Sequence, residues 1–468
     1  MQRDFDLTFE DIHESEDELL GRIEEIYQHA VLHTEPVQEE LDLRFLTYST
    51  ATETDGILRL TNRGENVGER NYLAVSYTFE KFNEGDATLS TTNYTIAHES
   101  SATTTTRAPR AQTWVIHRAL QFAKSRGIRY IWIDLECIDK DDPDDIESHL
   151  HIVHEIFHRS RYAIGLLSFC VHNATLLDPL QYITNGRLIQ DVQHKQESNI
   201  SWDIEQRQRL ARMLRLFQAI SSDKWFSRTW TLMERLSAPH MCLVLPNNVS
   251  LPIDKGSADL TISLLQLQQV RESLIECQKE MASDLDKIEN ARLREERLSV
   301  RQNIDRLCHL ISEKFHVEMK DPPWHQLLNV SQITKILLQI EQCDNAVLSD
   351  RLLILGYLCG FSRRLKTTEL NHPRFSYSTC VLVLLLANGW LLDVIRVNGV
   401  DCLWKSSIIQ FLCAVEDQPG YELRADTTRL VSGAGSTLQR EDGDTFSRRI
   451  TALIESSSLS KDSTSSRV

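Results

Sequence analysis

Between residues 114 and 167 the chain alternates twice between an amphipathic helical pattern and a short, continuous apolar run, and few folds accept that alternation. Trp114 to Lys124 carry apolar residues at helical spacing, and Ser125-Arg126-Gly127 stop the helix. Tyr130-Ile131-Trp132-Ile133 is apolar without a polar face, which fits a strand covered on both sides. Residues 144 to 159 return to helix, and Tyr162 to Leu167 form a second such run. Strand and helix in turn, with short joints, predict an α/β fold: a mainly parallel sheet flanked by helices, with 73–78, 130–134, 162–167 and 241–245 as its strands. Residues 57–61 read as a further strand, followed by the turn residues Asn62-Arg63-Gly64-Glu65-Asn66. Residues 82–110, rich in Thr, Ser and Asn, read as an exposed loop with room for a short strand. Residues 204–220 and 227–237 read as helices.

The 468 residues exceed what one compact core holds. The patterns divide them into an N-terminal helical segment (1–39), the α/β domain (40–255), a helical insert (256–316), a helical C-terminal subdomain (317–455) and a polar, disordered tail (456–468). In the insert, Leu267, Val270, Leu274, Cys277, Met281, Ile288 and Ala291 keep a heptad-like spacing. Val300, Ile304, Leu307, Ile311 and Phe315 begin a new register. That break predicts two helices, or one with a stutter, forming a coiled-coil-like hairpin or arm suited to self-association or to packing on its own domain. A net charge of −16 argues against binding nucleic acid. The most apolar stretch, Cys380 to Ile395, is interrupted by Asn388, Gly389 and Asp393 and is too short to span a membrane, so it reads as a buried helix. Ten scattered cysteines without a Cys-x-x-Cys pair, and an N-terminus unlike a secretory signal, point to reduced thiols and a cytoplasmic location.

Three segments concentrate chemistry. Tyr72-Leu73-Ala74-Val75-Ser76-Tyr77-Thr78-Phe79-Glu80 is a buried strand that ends in small and aromatic polar residues. Ile131-Trp132-Ile133-Asp134-Leu135-Glu136-Cys137-Ile138-Asp139-Lys140 is a strand that delivers an aspartate at its carboxyl end. Trp225-Phe226-Ser227-Arg228-Thr229-Trp230-Thr231-Leu232-Met233-Glu234 starts a short helix behind an aromatic anchor. In parallel sheets the carboxyl ends of strands are where ligands are met, so Ser76, Asp134 and Glu234 are expected to converge there.

In order and separation these segments resemble the three blocks of the heterokaryon-incompatibility (HET) domain family. The family reads Tyr-x-Ala-Leu-Ser-Tyr-x-Trp-Gly, then Trp-Ile-Asp-x-x-Cys-Ile-x-Gln, then Trp-x-x-Arg-x-Trp-x-x-Gln-Glu. Asp350-Arg351-Leu352-Leu353-Ile354-Leu355-Gly356 resembles a segment often found after that core. Phe79-Glu80 stand in place of Trp-Gly, Lys140 in place of Gln and Met233 in place of Gln, all at motif ends. The resemblance implies a TIR- or flavodoxin-like α/β fold and an effector role in fungal non-self recognition and cell death. It leaves two mechanisms open. One is cleavage of NAD at the nicotinamide bond, as some TIR domains perform, with Glu234 as the catalytic residue and Ser76, Tyr77, Asp134, Arg228 and Trp230 as binding residues. The other is a non-catalytic module whose association with itself or a protein partner is the signal. No cofactor is otherwise implied.

Rival readings attach to several residues. A purely structural role would bury Trp230 in the core and pair Glu234 with an arginine such as Arg228. His154-Glu155-Ile156-Phe157-His158 matches a zinc-peptidase pattern, but no third ligand is indicated, so no metal site is expected. Asp139 to Asp145 lack the mid-loop glycine and closing glutamate of a calcium loop. They read instead as a helix start, with Asp142 as cap and Pro143 in the first turn.

Overall fold

A computed structural model describes residues 1–33, 40–48, 56–78, 93–99, 104–184, 204–247, 259–285, 291–315, 329–345, 347–370, 372–390 and 400–416. The chain divides into two compact units: Met1–Pro36 with Pro323–Val468, and Val37–Pro322. The N-terminal helical segment thus shares a unit with the C-terminal helices. It contributes helix Glu16–Ala30, whose buried face holds Leu19, Leu20, Ile23, Ile26 and Tyr27, and strand β1 (Val31–His33).

The second unit contains a nine-stranded sheet. In chain order the strands are β2 (Leu46–Tyr48), β3 (Ile57–Leu60), β4 (Tyr72–Ser76), β5 (Thr95–Glu99), β6 (Thr104–Arg107), β7 (Tyr130–Trp132), β8 (Tyr162–Leu166), β9 (Cys242–Leu245) and β10 (Leu260–Ser263). Their spatial order is β10-β9-β8-β4-β7-β2-β3-β5-β6. The four strands expected to be parallel form one contiguous parallel block, β9-β8-β4-β7. The sheet as a whole is mixed rather than mainly parallel. Pairings β10–β9, β7–β2, β2–β3 and β5–β6 are antiparallel, and β3–β5 is parallel. The flanking strands, three to five residues long, carry no long apolar run, so the pattern that marks the central block does not extend to them. The segment read as an exposed loop supplies β5 and β6 at one edge.

All five residues of β4 are buried, as a strand covered on both faces requires. Helices Thr113–Arg126 and Pro143–Arg159 make the connections between successive strands of the block. Helix Thr113–Arg126 ends at Gly127, whose φ of 64° is the left-handed geometry that glycine takes without strain. The insert is two helices, Leu264–Leu285 and Ala291–Phe315, which pack on each other, and the second also packs on helix Ile204–Ser221. Ile288 of the expected heptad lies outside the described residues, as do Phe79-Glu80 and the tail 456–468.

The acidic run at 139–145 behaves as a helix start. Asp142 accepts from the amides of Asp144 and Asp145, and Pro143 occupies the first turn. Asp145 does more than complement the helix dipole. It is buried, pairs with Arg44, and pairs with Arg63 at 2.6 Å. Both arginines precede the first motif, so the strands before residue 72 are bolted to the helix that follows the second motif.

The later part of the first unit adds β11 (Arg363–Leu365), which pairs antiparallel with β1. Every residue of helix Tyr377–Ala387 is buried, the expected fate of the most apolar stretch. Arg351, in the segment resembling the post-core region, pairs with Glu341 at 2.6 Å. Among the described residues no helix is long and apolar enough to cross a membrane.

Removing Asp145 leaves the Arg44 guanidinium in its largely buried site without this carboxylate. We expect Asp145→Ala to lower unfolding free energy by about 3–5 kcal/mol in chemical denaturation. A loss below about 0.5 kcal/mol would mean the cluster behaves as a solvated surface pair.

Candidate functional site

The parallel block fixes where a site can form. Counted along the chain, its strands lie in the order 2-1-3-4, so the connection leaving β4 runs to one side and β8 lies on the other. The strands' carboxyl ends open a crevice at that reversal. Ser76 and Gly165 stand in register across it.

Ser76, at the end of β4, is 1 % exposed and its hydroxyl donates to Glu234 of helix Thr229–Ser237. The same oxygen accepts from Trp225 Nε1 at 2.8 Å. Tyr77 follows and donates from its hydroxyl to Asp134 Oδ1 at 2.7 Å, at the exit of β7. The structure thus brings Ser76, Tyr77, Asp134 and Glu234 together at one sheet edge, through two adjacent hydrogen-bonded pairs. Arg228 immediately precedes the helix and acts on Glu234 through its charge.

Within that helix, Trp230 and Glu234 are the two residues that are not buried. Being one turn apart they share a face, and both are half-buried. The expectation that a structural Trp230 would fill the core is corrected: the core positions are taken by Leu232, Met233 and Leu236. Glu234 accepts a hydrogen bond from the Ser76 hydroxyl, with the Arg228 charge acting on it as well. Met233, at the family's Gln position, is fully buried, whereas Lys140 is exposed.

Electrostatics distinguishes the two carboxyls. Burial pushes Glu234 up from its ordinary value to about 8. The Ser76 hydrogen bond opposes this, the nearby Asp134 carboxylate adds to it, and Arg228 opposes it. At neutral pH Glu234 is therefore mainly a neutral acid beside an aromatic ring. Burial, then the charge of Asp134, raises Tyr77 well above the usual phenol range, which keeps it a hydrogen-bond donor. A proton-holding carboxyl on a half-open face can give up its proton to an arriving base, or lose it when a cation docks.

Several supporting residues were not apparent in the sequence. Asp223 ties the exit of β8 to the turn before the third-motif helix: Oδ2 accepts from the Ser168 amide at 2.7 Å and the Phe169 amide at 2.6 Å, and Oδ1 accepts from the Trp225 amide at 2.9 Å. Arg118 is buried and donates to Leu167 O and Val244 O, both at 2.8 Å, so it holds the ends of β8 and β9. Glu136 is buried, accepts from the Arg110 and Ala111 amides and pairs with Arg107 at 2.7 Å. Gly165 gives Trp225 its room, since a Cβ there would lie 2.8 Å from Trp225 Cζ2. An isolated glycine inside an apolar strand pattern is the sequence sign of such close approach.

The histidines of the zinc-like pattern sit elsewhere. His154 is buried, and Glu155, which would serve as the base, pairs with Arg159 at 2.6 Å. Among the described residues no group of three or more His, Cys, Asp or Glu side chains is placed to hold a metal.

The fold and site define an α/β unit with a carboxyl group at the switch point of its parallel block. The family model for heterokaryon incompatibility protein (HET) matches residues 72–234, a span that runs from the first residue of β4 to Glu234 itself. No curated protein and no solved structure matches the chain.

Glu234 generates a pH signature. A carboxyl held at about 8 when folded and near 4.5 when unfolded favours the fold while it is protonated. That contribution is full below the unfolded value and is lost as pH rises through about 8. Glu234→Gln removes the dependence. We expect the variant to exceed the parent in stability at pH 9 by about 1–3 kcal/mol, less than the full shift because the carboxyl is part open to water, and by less at pH 5. Chemical denaturation at the two pH values checks this.

Proposed function

We propose that this chain is an effector of a heterokaryon-incompatibility response and that its HET domain cleaves a pyridinium nucleotide of the NAD type at the glycosidic bond. The observation that carries the reading is the half-open face where Trp230 lies beside a proton-holding Glu234 at the switch point. The 2-1-3-4 order of the parallel block, which is that of flavodoxin-like sheets, supports a nucleotide site at that edge. Trp230 offers a flat surface on which a pyridinium ring can stack. A cationic ring drives the proton from Glu234 to solvent water, and the resulting carboxylate faces the positive charge that develops on the ribose. The nitrogen–carbon bond breaks, nicotinamide leaves with the electron pair, and water adds to the ribose carbon and releases a proton. Ser76 and Tyr77 hold the two carboxyl groups in place. The role belongs to the cytoplasm, where thiols stay reduced, and the nine cysteines among the described residues are free.

A second reading has its own support. Glu80 stands where the family pattern has glycine, and a carboxylate residue in place of glycine restricts close approach of a ligand to the backbone. In that reading the domain is a non-catalytic module that signals by association with itself or a protein partner.

Nicotinamide release from NAD by the purified chain separates the two. The enzymatic reading predicts release that falls by about two orders of magnitude or more in Glu234→Gln while the fold is kept. No release above a protein-free control, together with concentration-dependent assembly in sedimentation, favours the interaction module.

A further inference from the structure

The Ser76–Glu234 pair does not hold itself. A serine hydroxyl has one proton, and a rotor free to turn can offer it elsewhere. Here the Trp225 N–H donates to Ser76 Oγ at 2.8 Å, which engages the oxygen and leaves the hydroxyl proton directed at Glu234. Trp225 is fully buried, and its ring lies against Gly165 of β8, where no side chain could be accommodated without movement. The ring also meets Phe226 edge-on, with ring centres 4.9 Å apart. Phe226 in turn meets Phe315, the last residue of the insert's second helix, at 5.0 Å. Phe315 also packs edge-on against Phe217 at 5.6 Å. The Arg235 guanidinium lies over both Trp225 and Phe226. An unbroken line of packed rings therefore runs from the base of the helical insert to the hydroxyl that touches Glu234.

We propose that Trp225 is the positioning residue of the Ser76–Glu234 pair and that the insert, through Phe315 and Phe226, holds Trp225 in the position that directs Ser76 onto Glu234. The proposal rests on the reading of Glu234 as the site's working group, but it concerns that group's proton rather than any turnover. The insert is then part of the site's control: a partner that displaces its second helix loosens Trp225, and Ser76 loses its fixed direction. Because packed interiors shift between discrete arrangements rather than deform smoothly, a small movement at Phe315 is passed on rather than absorbed.

Titration of Glu234 gives the test. The charges that act on Glu234 come from Asp134 and Arg228, and helix Pro143–Arg159, which also packs on helix Thr229–Ser237, adds none of comparable weight. Tyr77 faces the same edge and stays protonated throughout the range. The Ser76 hydrogen bond lowers the proton affinity of Glu234, so loosening it raises that affinity. The midpoint of Glu234 is read in the full-length chain from the pH dependence of stability, as the difference between each protein and its Glu234→Gln partner. Trp225→Phe keeps an aromatic ring and removes the N–H; we expect the midpoint to rise by about 0.5–1 pH unit. Phe315→Leu keeps an apolar side chain and leaves all direct neighbours of Glu234 in place; we expect a smaller rise in the same direction. If both variants lose stability but keep the parent's midpoint, Trp225 and Phe315 are packing residues only and the proposal is overturned. A rise in Trp225→Phe with none in Phe315→Leu overturns the role of the insert. Neither outcome depends on NAD cleavage, so failure of the enzymatic reading remains distinct.

Discussion

The hydrogen bond from Ser76 to Glu234 joins the last residue of the central strand to the last turn of the third-motif helix, and the site depends on it. It needs a strand that ends at the switch point, a helix anchored above that end and an indole that fixes the serine. Each requirement accounts for a piece of the sequence. The apolar run of β4 buries the strand on both faces and delivers Ser76 to its exit. Asp223 and Trp225 set the chain before the helix, and Gly165 clears the space that Trp225 fills. A half-open carboxyl remains whose proton affinity reflects burial more than any single neighbour.

The central block was legible because burial on both faces leaves a mark that no surface strand has. Tyr130 to Trp132 and Tyr162 to Leu166 read as continuous apolar runs, and amphipathic helices between them allow few alternatives to a parallel crossover. The three motifs were legible for a related reason, since two of them end at strand exits and the third begins at an aromatic anchor. Strand direction put Ser76 and Asp134 on one edge, and the aromatic anchor Trp225-Phe226 put the helix of Glu234 against it. Outside the parallel block only the strand at 57–61 was clearly legible. Leu46–Tyr48 and Leu260–Ser263 are too short to show a period, and antiparallel pairing imposes no apolar run. The division of the chain was also hidden, because nothing local tells residues 1–36 that their partners lie beyond residue 323.

Side-chain partners across long sequence distances left the least trace. Asp145 read as one of several acidic residues opening a helix, yet it is buried between arginines about a hundred residues earlier in the chain, at positions 44 and 63. Nothing in the helical pattern of 114–124 marks Arg118, but its guanidinium ties the ends of two strands. A charge in sequence is neutral information until its environment is known. Burial turns the same residue type into a bolt, as with Asp145, or into an acid that keeps its proton, as with Glu234.

Direct observation of that proton is the sharpest measurement. Infrared difference spectra between the parent and Glu234→Gln, recorded across pH, report whether the Glu234 carboxyl is neutral or ionised. A buried acid hydrogen-bonded to Ser76 predicts a protonated-carboxyl band at pH 7 that disappears as pH rises through about 8. A band already absent at pH 6, with ionisation in the ordinary carboxylate range, would contradict the account, because Glu234 would then be a solvated surface charge and the switch-point crevice would hold no poised group.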